Sequence, residues 1–241
     1  MIIASRIKET VSNAQEGVVL TTADFRVEPQ FQQALVMLLC RMVKQGTLKK
    51  VSKGKYYKPK KSVFGDLPPA SSESYKEFLQ KGGKTVGYIT GTQAFAKMGL
   101  TTQITSSVMI GTNKYRRAMM RGGVKITFIL QPNPITEENI PLLRILDAIK
   151  LFKEIPAVSP DDCIKQITRL IEELTMEKKR KLAVLANEYT PFVRALVGAI
   201  FEKTNQTDLA SGLRENLNGV TYFKLPISES ALPNKKNWNI I

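Results

Sequence analysis

The chain has 241 residues, 43% of them hydrophobic and 24% charged, a balance typical of globular domains and too apolar for a disordered chain. Its longest apolar runs cover only residues 34–40 and 195–201, and the N-terminus has no apolar signal region, so we expect a cytoplasmic protein without membrane contact. The net charge is +15, and the first 131 residues hold 21 basic residues against seven acidic ones. This excess predicts an anionic partner for the first half of the chain, with nucleic acid as the leading candidate and an acidic protein as the alternative.

The first sixty residues follow a recognisable order of elements. An amphipathic helix is predicted over residues 2–13, a short strand over 18–20, and a short helix capped by Thr22. A longer helix runs from Pro29 to Gln45, and a basic β-hairpin follows it over residues 48–58. This order is typical of a winged helix-turn-helix domain, in which the long helix enters the major groove and the hairpin lies along the backbone. The sequence therefore predicts an α+β protein with such a DNA-binding domain at residues 1–60.

The long helix has two distinct faces. Its apolar stripe, which we expect to face the core, consists of Phe31, Ala34, Leu35, Leu38, Leu39 and Met42. The opposite face carries side chains suited to reading bases, since Gln bonds adenine, Arg bonds guanine and Met packs on the thymine methyl group. These candidates for base readout are Gln30, Gln33, Met37 and Arg41. A polar helix face that is merely solvated is the competing interpretation.

Basic residues continue without an acidic one from Arg41 to Lys61, which is dense for a face that only confers solubility. We predict that this cluster contacts phosphates. Tyr56 and Tyr57 are adjacent in a strand and point to opposite sides, so one is expected in the core and the other near the backbone of the DNA. The predicted phosphate-binding set is Lys44, Lys49, Lys50, Lys53, Lys55, Tyr57, Lys58 and Lys60.

The rest of the chain is predicted to form a linker, a second domain and a tail. Residues 61–74 are rich in proline and serine, with Phe64 and Leu67 expected to pin the linker to a neighbouring domain. Residues 75–230 are predicted to be a mixed α/β domain that is mostly helical toward its C-terminus, and residues 231–241 a frayed tail. A basic loop in this domain is either a second nucleic-acid or partner site or a solvated loop: Lys114, Arg116, Arg117 and Arg121.

No catalytic constellation is found in the sequence. The chain has no histidine, which excludes His-based triads and two-His zinc sites. Gly83 and Lys84 suggest a phosphate loop, but the Walker A pattern needs glycine where Phe78 stands. We therefore predict a protein that is not an enzyme and needs no metal or cofactor. The alternative is a nucleic-acid-processing enzyme, or an RNA-binding accessory protein, that holds its substrate with the basic half.

Several segments resemble the AbiEi-like antitoxins of bacterial type IV toxin–antitoxin systems. The hairpin GTLKKVSKGKYYKP at Gly46–Pro59 resembles the wing of that group. Four downstream segments resemble one uncharacterised branch of it: Gly87–Gly91, Gly99–Gln103, Ile145–Ala148 and Tyr189–Leu196. The resemblance implies a regulator that binds double-stranded operator DNA, represses its own operon and counteracts a nucleotidyltransferase-like toxin, directly or indirectly. Binding as a homodimer, or cooperatively to inverted repeats, stays open.

Overall fold

The computed structural model describes residues 3–63, 65–69, 71–121 and 123–241, and Phe64 with its predicted pinning role lies outside them. The fold is mixed α/β, in agreement with the predicted α+β class. The chain divides into two compact units: a first unit of residues 1–77 and 118–126, and a second unit of residues 78–117 and 127–241. Within the described ranges, no helix has the length and apolar character needed to cross a membrane.

The first unit is built on two helices and a small sheet. Its first elements are α1 (Ile3–Asn13), β1 (Val19–Thr21), α2 (Gln32–Lys44), β2 (Lys49–Ser52) and β3 (Lys55–Tyr57), with 3-10 turns at Thr22–Phe25 and Pro29–Phe31. The strands are antiparallel in the order β1-β3-β2. The core of this unit is formed by one face of each helix and by the sheet: Ile7, Val11, Phe25, Leu35, Leu39, Met42, Leu48 and Tyr56.

The segment predicted as a linker contains regular structure. β4 (Lys60–Ser62) pairs antiparallel with β5 (Gly65–Leu67), and a 3-10 turn covers Ser71–Ser74. These residues belong to the first unit. Leu67, which was predicted to pin the linker to a neighbouring domain, is exposed. The prolines and serines that suggested a linker lie at the bends between these short elements. Pro68, for example, directly follows β5.

The middle of the chain consists of short elements that belong partly to the first unit and partly to the second. They are α3 (Lys76–Leu79), β6 (Gln80–Lys81), β7 (Lys84–Thr85), β8 (Gly87–Thr90), α4 (Thr92–Lys97), β9 (Val108–Thr112), β10 (Met119–Arg121) and β11 (Val124–Leu130). The start of β11 pairs with β10 in the first unit, and in the second unit the strand order is β11-β9-β8. The predicted boundary at residue 75 therefore misses the excursion of residues 118–126 into the first unit.

Helices dominate the rest of the second unit. They are α5 (Ile140–Lys150), α6 (Pro160–Glu172), α7 (Met176–Ala186), α8 (Pro191–Lys203) and α9 (Thr207–Arg214). The capped start predicted for α6 is confirmed, because Ser159 Oγ accepts a hydrogen bond from the Asp162 amide at 3.1 Å. Eight residues of α8 are buried, which makes it the central helix of this core.

Residues 231–241 pack into the core and are not a tail. Trp238 exposes 3% of its surface, and its indole N–H donates to Glu202 at 2.6 Å. Gly198 in α8 provides the space, since a Cβ at this position would lie 2.1 Å from the Trp238 ring. The segment is held in place because its apolar side chains pack on α8. The sequence pattern of residues 231–241 alone does not predict this packing.

Candidate nucleic-acid interface

Helix α2 presents one buried and one exposed face. Leu35, Leu39 and Met42 are buried, and Leu38 is half-buried against the same core. Phe31 is half-buried and Ala34 is exposed, so the buried stripe is narrower than predicted. The opposite face carries Gln33, Met37 and Arg41, all exposed, with 61% of the Met37 surface in contact with solvent.

Gln30 differs from the other three candidates for base readout. It lies in the 3-10 turn before α2, and its side-chain amide donates to the Glu28 carboxylate at 2.9 Å. A base that contacts Gln30 would have to displace this local hydrogen bond. The side chains of Gln33 and Arg41 have no hydrogen bond to a described residue that a base would have to displace.

The hairpin follows α2 after a tight turn. Gly46 has a φ of +74°, which favours glycine, and the amides of Thr47 and Leu48 donate to the Met42 carbonyl at 3.0 and 3.2 Å. Lys50 and Lys53 of the hairpin are exposed and make no ion pair with any described residue. Lys44 and Lys60 are also exposed. These four ammonium groups are available for a phosphate.

Three other lysines of the predicted set have intramolecular partners. Lys49 lies 3.1 Å from the Asp66 carboxylate, and Lys58 donates to the Ser12 carbonyl at 3.2 Å. Lys55 contacts the Glu77 carboxylate, which also contacts Arg121. Burial acts to raise the pKa of Glu77, but hydrogen bonds from Lys55 and Arg121 outweigh it and leave that pKa below its ordinary value. Lys55 is therefore committed to a partly buried ion network of the first unit.

Tyr57 does not fit its predicted role at the phosphate backbone. Tyr56 exposes 3% and Tyr57 7% of its surface, so both rings are buried. The alternation along β3 does place them on opposite sides, but the strand is central in its sheet and both sides are covered. Neither ring offers a surface that DNA could reach without rearrangement.

The four residues of the predicted basic loop, Lys114, Arg116, Arg117 and Arg121, differ in their contacts. The guanidinium carbon of Arg116 lies 5.1 Å from the centre of the Phe78 ring and 6.0 Å from that of Phe128, a cation–π arrangement inside the second unit. Arg121 belongs to the first unit and contacts Glu77. Lys114 and Arg117 are exposed. Two of the four residues thus have structural roles.

The second unit contains a buried polar cluster that the sequence did not single out as a site. Asp147 of α5 accepts hydrogen bonds from the hydroxyls of Tyr88 at 2.7 Å, Thr90 at 2.8 Å and Tyr189 at 2.9 Å. The amide of Gln131 donates to both tyrosine hydroxyls, at 2.8 and 2.5 Å. Gly111 allows the Tyr88 ring to reach this place, since a Cβ there would lie 2.4 Å from it.

This cluster links strand β8, the residue after β11, helix α5 and the turn before α8. Burial raises the pKa of Asp147, against the lowering effect of the three hydrogen bonds, and burial also raises the pKa of both tyrosines. Asp147 exposes only 1% and Gln131 only 2% of its surface, so the carboxylate and the amide are closed off from solvent. The signal in the sequence was indirect: three of the downstream motifs, Gly87–Gly91, Ile145–Ala148 and Tyr189–Leu196, meet here.

The described residues contain no group of three or more Cys, Asp or Glu side chains placed to hold a metal ion. The geometry is that of a mixed α/β protein whose first unit exposes a polar helix face and a basic hairpin. A family profile matches residues 6–182, and the chain belongs to that family, DUF6088, a family of unknown function.

No curated protein matches the chain. Among solved structures, the chain is similar to the RV2827C protein from Mycobacterium tuberculosis, at 13% sequence identity and a TM-score of 0.46, over 92% of this chain and 84% of that one.

Proposed function

We propose that this chain is a DNA-binding transcriptional regulator with a winged-helix first unit, and that it acts as the antitoxin of an AbiEi-like type IV system. In this proposal it represses its own operon and counteracts a nucleotidyltransferase-like toxin. The observation that carries the DNA-binding part is the exposed face of α2, with Gln33, Met37 and Arg41, followed directly by a hairpin with free lysines.

The order of elements supports the winged-helix interpretation. Helix α1, strand β1, the 3-10 turn at Thr22–Phe25, helix α2 and the hairpin β2–β3 follow one another, and β1 pairs with β3. In a winged helix the second helix of the pair reads the major groove and phosphate contacts fix its position. Here α2 takes the part of the reading helix, and Lys50 and Lys53 take the part of the wing.

The toxin-directed part of the proposal rests on the sequence resemblance. The segments that carry this resemblance include three that form the Asp147 cluster, so they contribute to the core of the second unit. We assign antitoxin activity to the second unit on this basis and DNA binding to the first.

Gln33→Ala and Arg41→Ala are expected to weaken binding to the DNA upstream of this gene about tenfold more than binding to scrambled duplex. A bidentate contact to a base contributes about 1–3 kcal/mol of discrimination, whereas a phosphate contact contributes none directly. The measurement is a pair of titrations at one salt concentration for each variant.

Two matched variants control this comparison. Gln15→Ala removes an exposed glutamine from the turn after α1 and should leave both affinities unchanged. Leu39→Ala removes a fully buried side chain and should instead destabilise the first unit by about 2–5 kcal/mol. Equal losses on both duplexes for Gln33→Ala and Arg41→Ala would mean that α2 does not read sequence.

For the antitoxin part, we expect a gene for a nucleotidyltransferase-like protein directly downstream. Expression of that protein should arrest growth, and co-expression of this chain from an unrelated promoter should restore it. Lys50→Glu with Lys53→Glu should keep this protection while losing repression, because the two activities are assigned to different units. Failure of the wild-type chain to protect would contradict the antitoxin assignment, and loss of protection in the double variant would contradict the division of labour.

A further inference from the structure

The second unit contains an open pocket of about 410 Å³ that the proposed DNA binding does not use. Its walls come from the end of α5 and the 3-10 turn Phe152–Glu154, from the start of α8, and from residues 222–225. Pockets of about 300–1,000 Å³ are typical of sites for small organic ligands. The volume is therefore sufficient for one such molecule.

Aromatic side chains form much of the lining. Phe152 is buried, Phe192 and Phe223 are half-buried, and Tyr222 exposes 64% of its surface. The backbone at residues 223–225 is extended, because the amide of Phe223 donates to the Asn239 carbonyl at 2.8 Å and that of Leu225 to the Ile241 carbonyl at 2.9 Å. Side chains alternate along such a segment, so Tyr222 projects into solvent while Leu225 is buried. An exposed ring over a pocket is suited to stacking on a flat ligand.

The charges at the rim favour an anion. Three lysines and one glutamate line the pocket: Lys150, Lys153, Lys224 and Glu154. Lys153 and Lys224 are exposed, and within the described residues neither forms an ion pair. Lys150 is half-buried, with its ammonium 5.8 Å from the centre of the Tyr189 ring. A lysine ammonium is a compact charge that binds phosphate oxygens without demanding one geometry.

We propose that this pocket binds a nucleoside phosphate. The base would stack on Tyr222, the phosphates would lie against Lys153 and Lys224, and Glu154 would accept a hydrogen bond from the sugar or the base. Aromatic rings alternating with lysines also suit single-stranded nucleic acid, but that usually requires a groove that follows the backbone over several nucleotides. A bounded pocket of this size fits one nucleotide.

The test is isothermal titration calorimetry of the full chain with ATP, GTP, CTP and UTP. At least one of the four should bind saturably, and the matching nucleoside and tripolyphosphate should each bind about tenfold more weakly, since each lacks one half of the recognised chemistry. Tyr222→Ala should weaken the best nucleotide about tenfold, and so should the pair Lys153→Ala with Lys224→Ala.

Control variants keep the result interpretable. Tyr115→Ala and Lys97→Ala remove an exposed ring and an exposed charge elsewhere in the second unit and should change nothing. Unchanged Trp238 fluorescence would verify that each pocket variant is folded.

Four outcomes would overturn the proposal. They are failure of all four nucleotides to bind, binding of tripolyphosphate as tight as that of the nucleotide, unaltered affinity in the pocket variants, and tighter binding of a single-stranded oligonucleotide through the same residues. None of these outcomes depends on whether the first unit binds duplex DNA.

Discussion

Replacing Asp147 with alanine is expected to lower the free energy of unfolding of the second unit by about 3 kcal/mol or more. The change leaves the hydroxyls of Tyr88, Thr90 and Tyr189 without their common acceptor, and each unsatisfied buried polar group costs about 1–3 kcal/mol. Trp238 is the single tryptophan of the chain and is buried in the same unit. Urea unfolding followed by its fluorescence therefore reports on this unit.

The control is the same substitution at an exposed position. Asp208→Ala, in the first turn of α9, should cost less than about 1 kcal/mol, the size of a helix-dipole interaction. Equal losses for the two variants would show that the Asp147 cluster does not stabilise the unit.

Asp147→Asn separates charge from size in the same experiment. Because the pKa of Asp147 is raised in the folded protein, its carboxyl binds a proton more tightly in the folded state than in the unfolded state. This protonation stabilises the folded state fully below the ordinary aspartate pKa of about 3.9, and the stabilisation is lost as the pH rises through the raised pKa of the folded state. Wild-type protein should therefore lose stability relative to the Asn variant as the pH rises above about 4. Parallel pH profiles for the two proteins would contradict the raised pKa.

The double substitution Lys50→Glu with Lys53→Glu is expected to weaken binding of duplex DNA about a hundredfold, for operator and scrambled sequence alike. Each phosphate contact that is lost lowers the slope of log affinity against log salt by about 0.9, so the slope should fall by about 2. Both lysines are exposed on the hairpin and make no ion pair with a described residue, so the change should not unfold the first unit. Titrations at several salt concentrations measure both quantities.

A matched pair of substitutions accounts for the change in net charge. Lys97→Glu and Lys178→Glu alter the charge equally but lie in α4 and α7 of the second unit. This control protein should keep most of its affinity and its full salt slope. If it loses as much as the hairpin variant, the effect comes from overall charge and not from a wing. Lys55 is unsuitable for this test because its contact with Glu77 would also be lost.

The sequence by itself determined the elements whose causes are local. The two faces of α2 follow from the spacing of Leu35, Leu39 and Met42, because a helix repeats every 3.6 residues. The caps at Ser159 and Thr175 involve residues only three positions apart. The mixed α/β class could be predicted from such patterns, and so could the concentration of basic residues in the first half of the chain.

Only the tertiary structure decided which groups are free and which are engaged. Lys55 meets Glu77 and Asp147 meets Tyr88 across 22 and 59 residues of sequence, and no periodic pattern spans such separations. The same holds for the excursion of residues 118–126 into the first unit. Trp238 is buried because Gly198 leaves space for its ring, and one wall of the pocket at Tyr222 is held in place because residues 223–225 pair with residues 239–241. Packing and pairing between distant segments depend on matching shapes and charges, which local sequence periodicity does not contain.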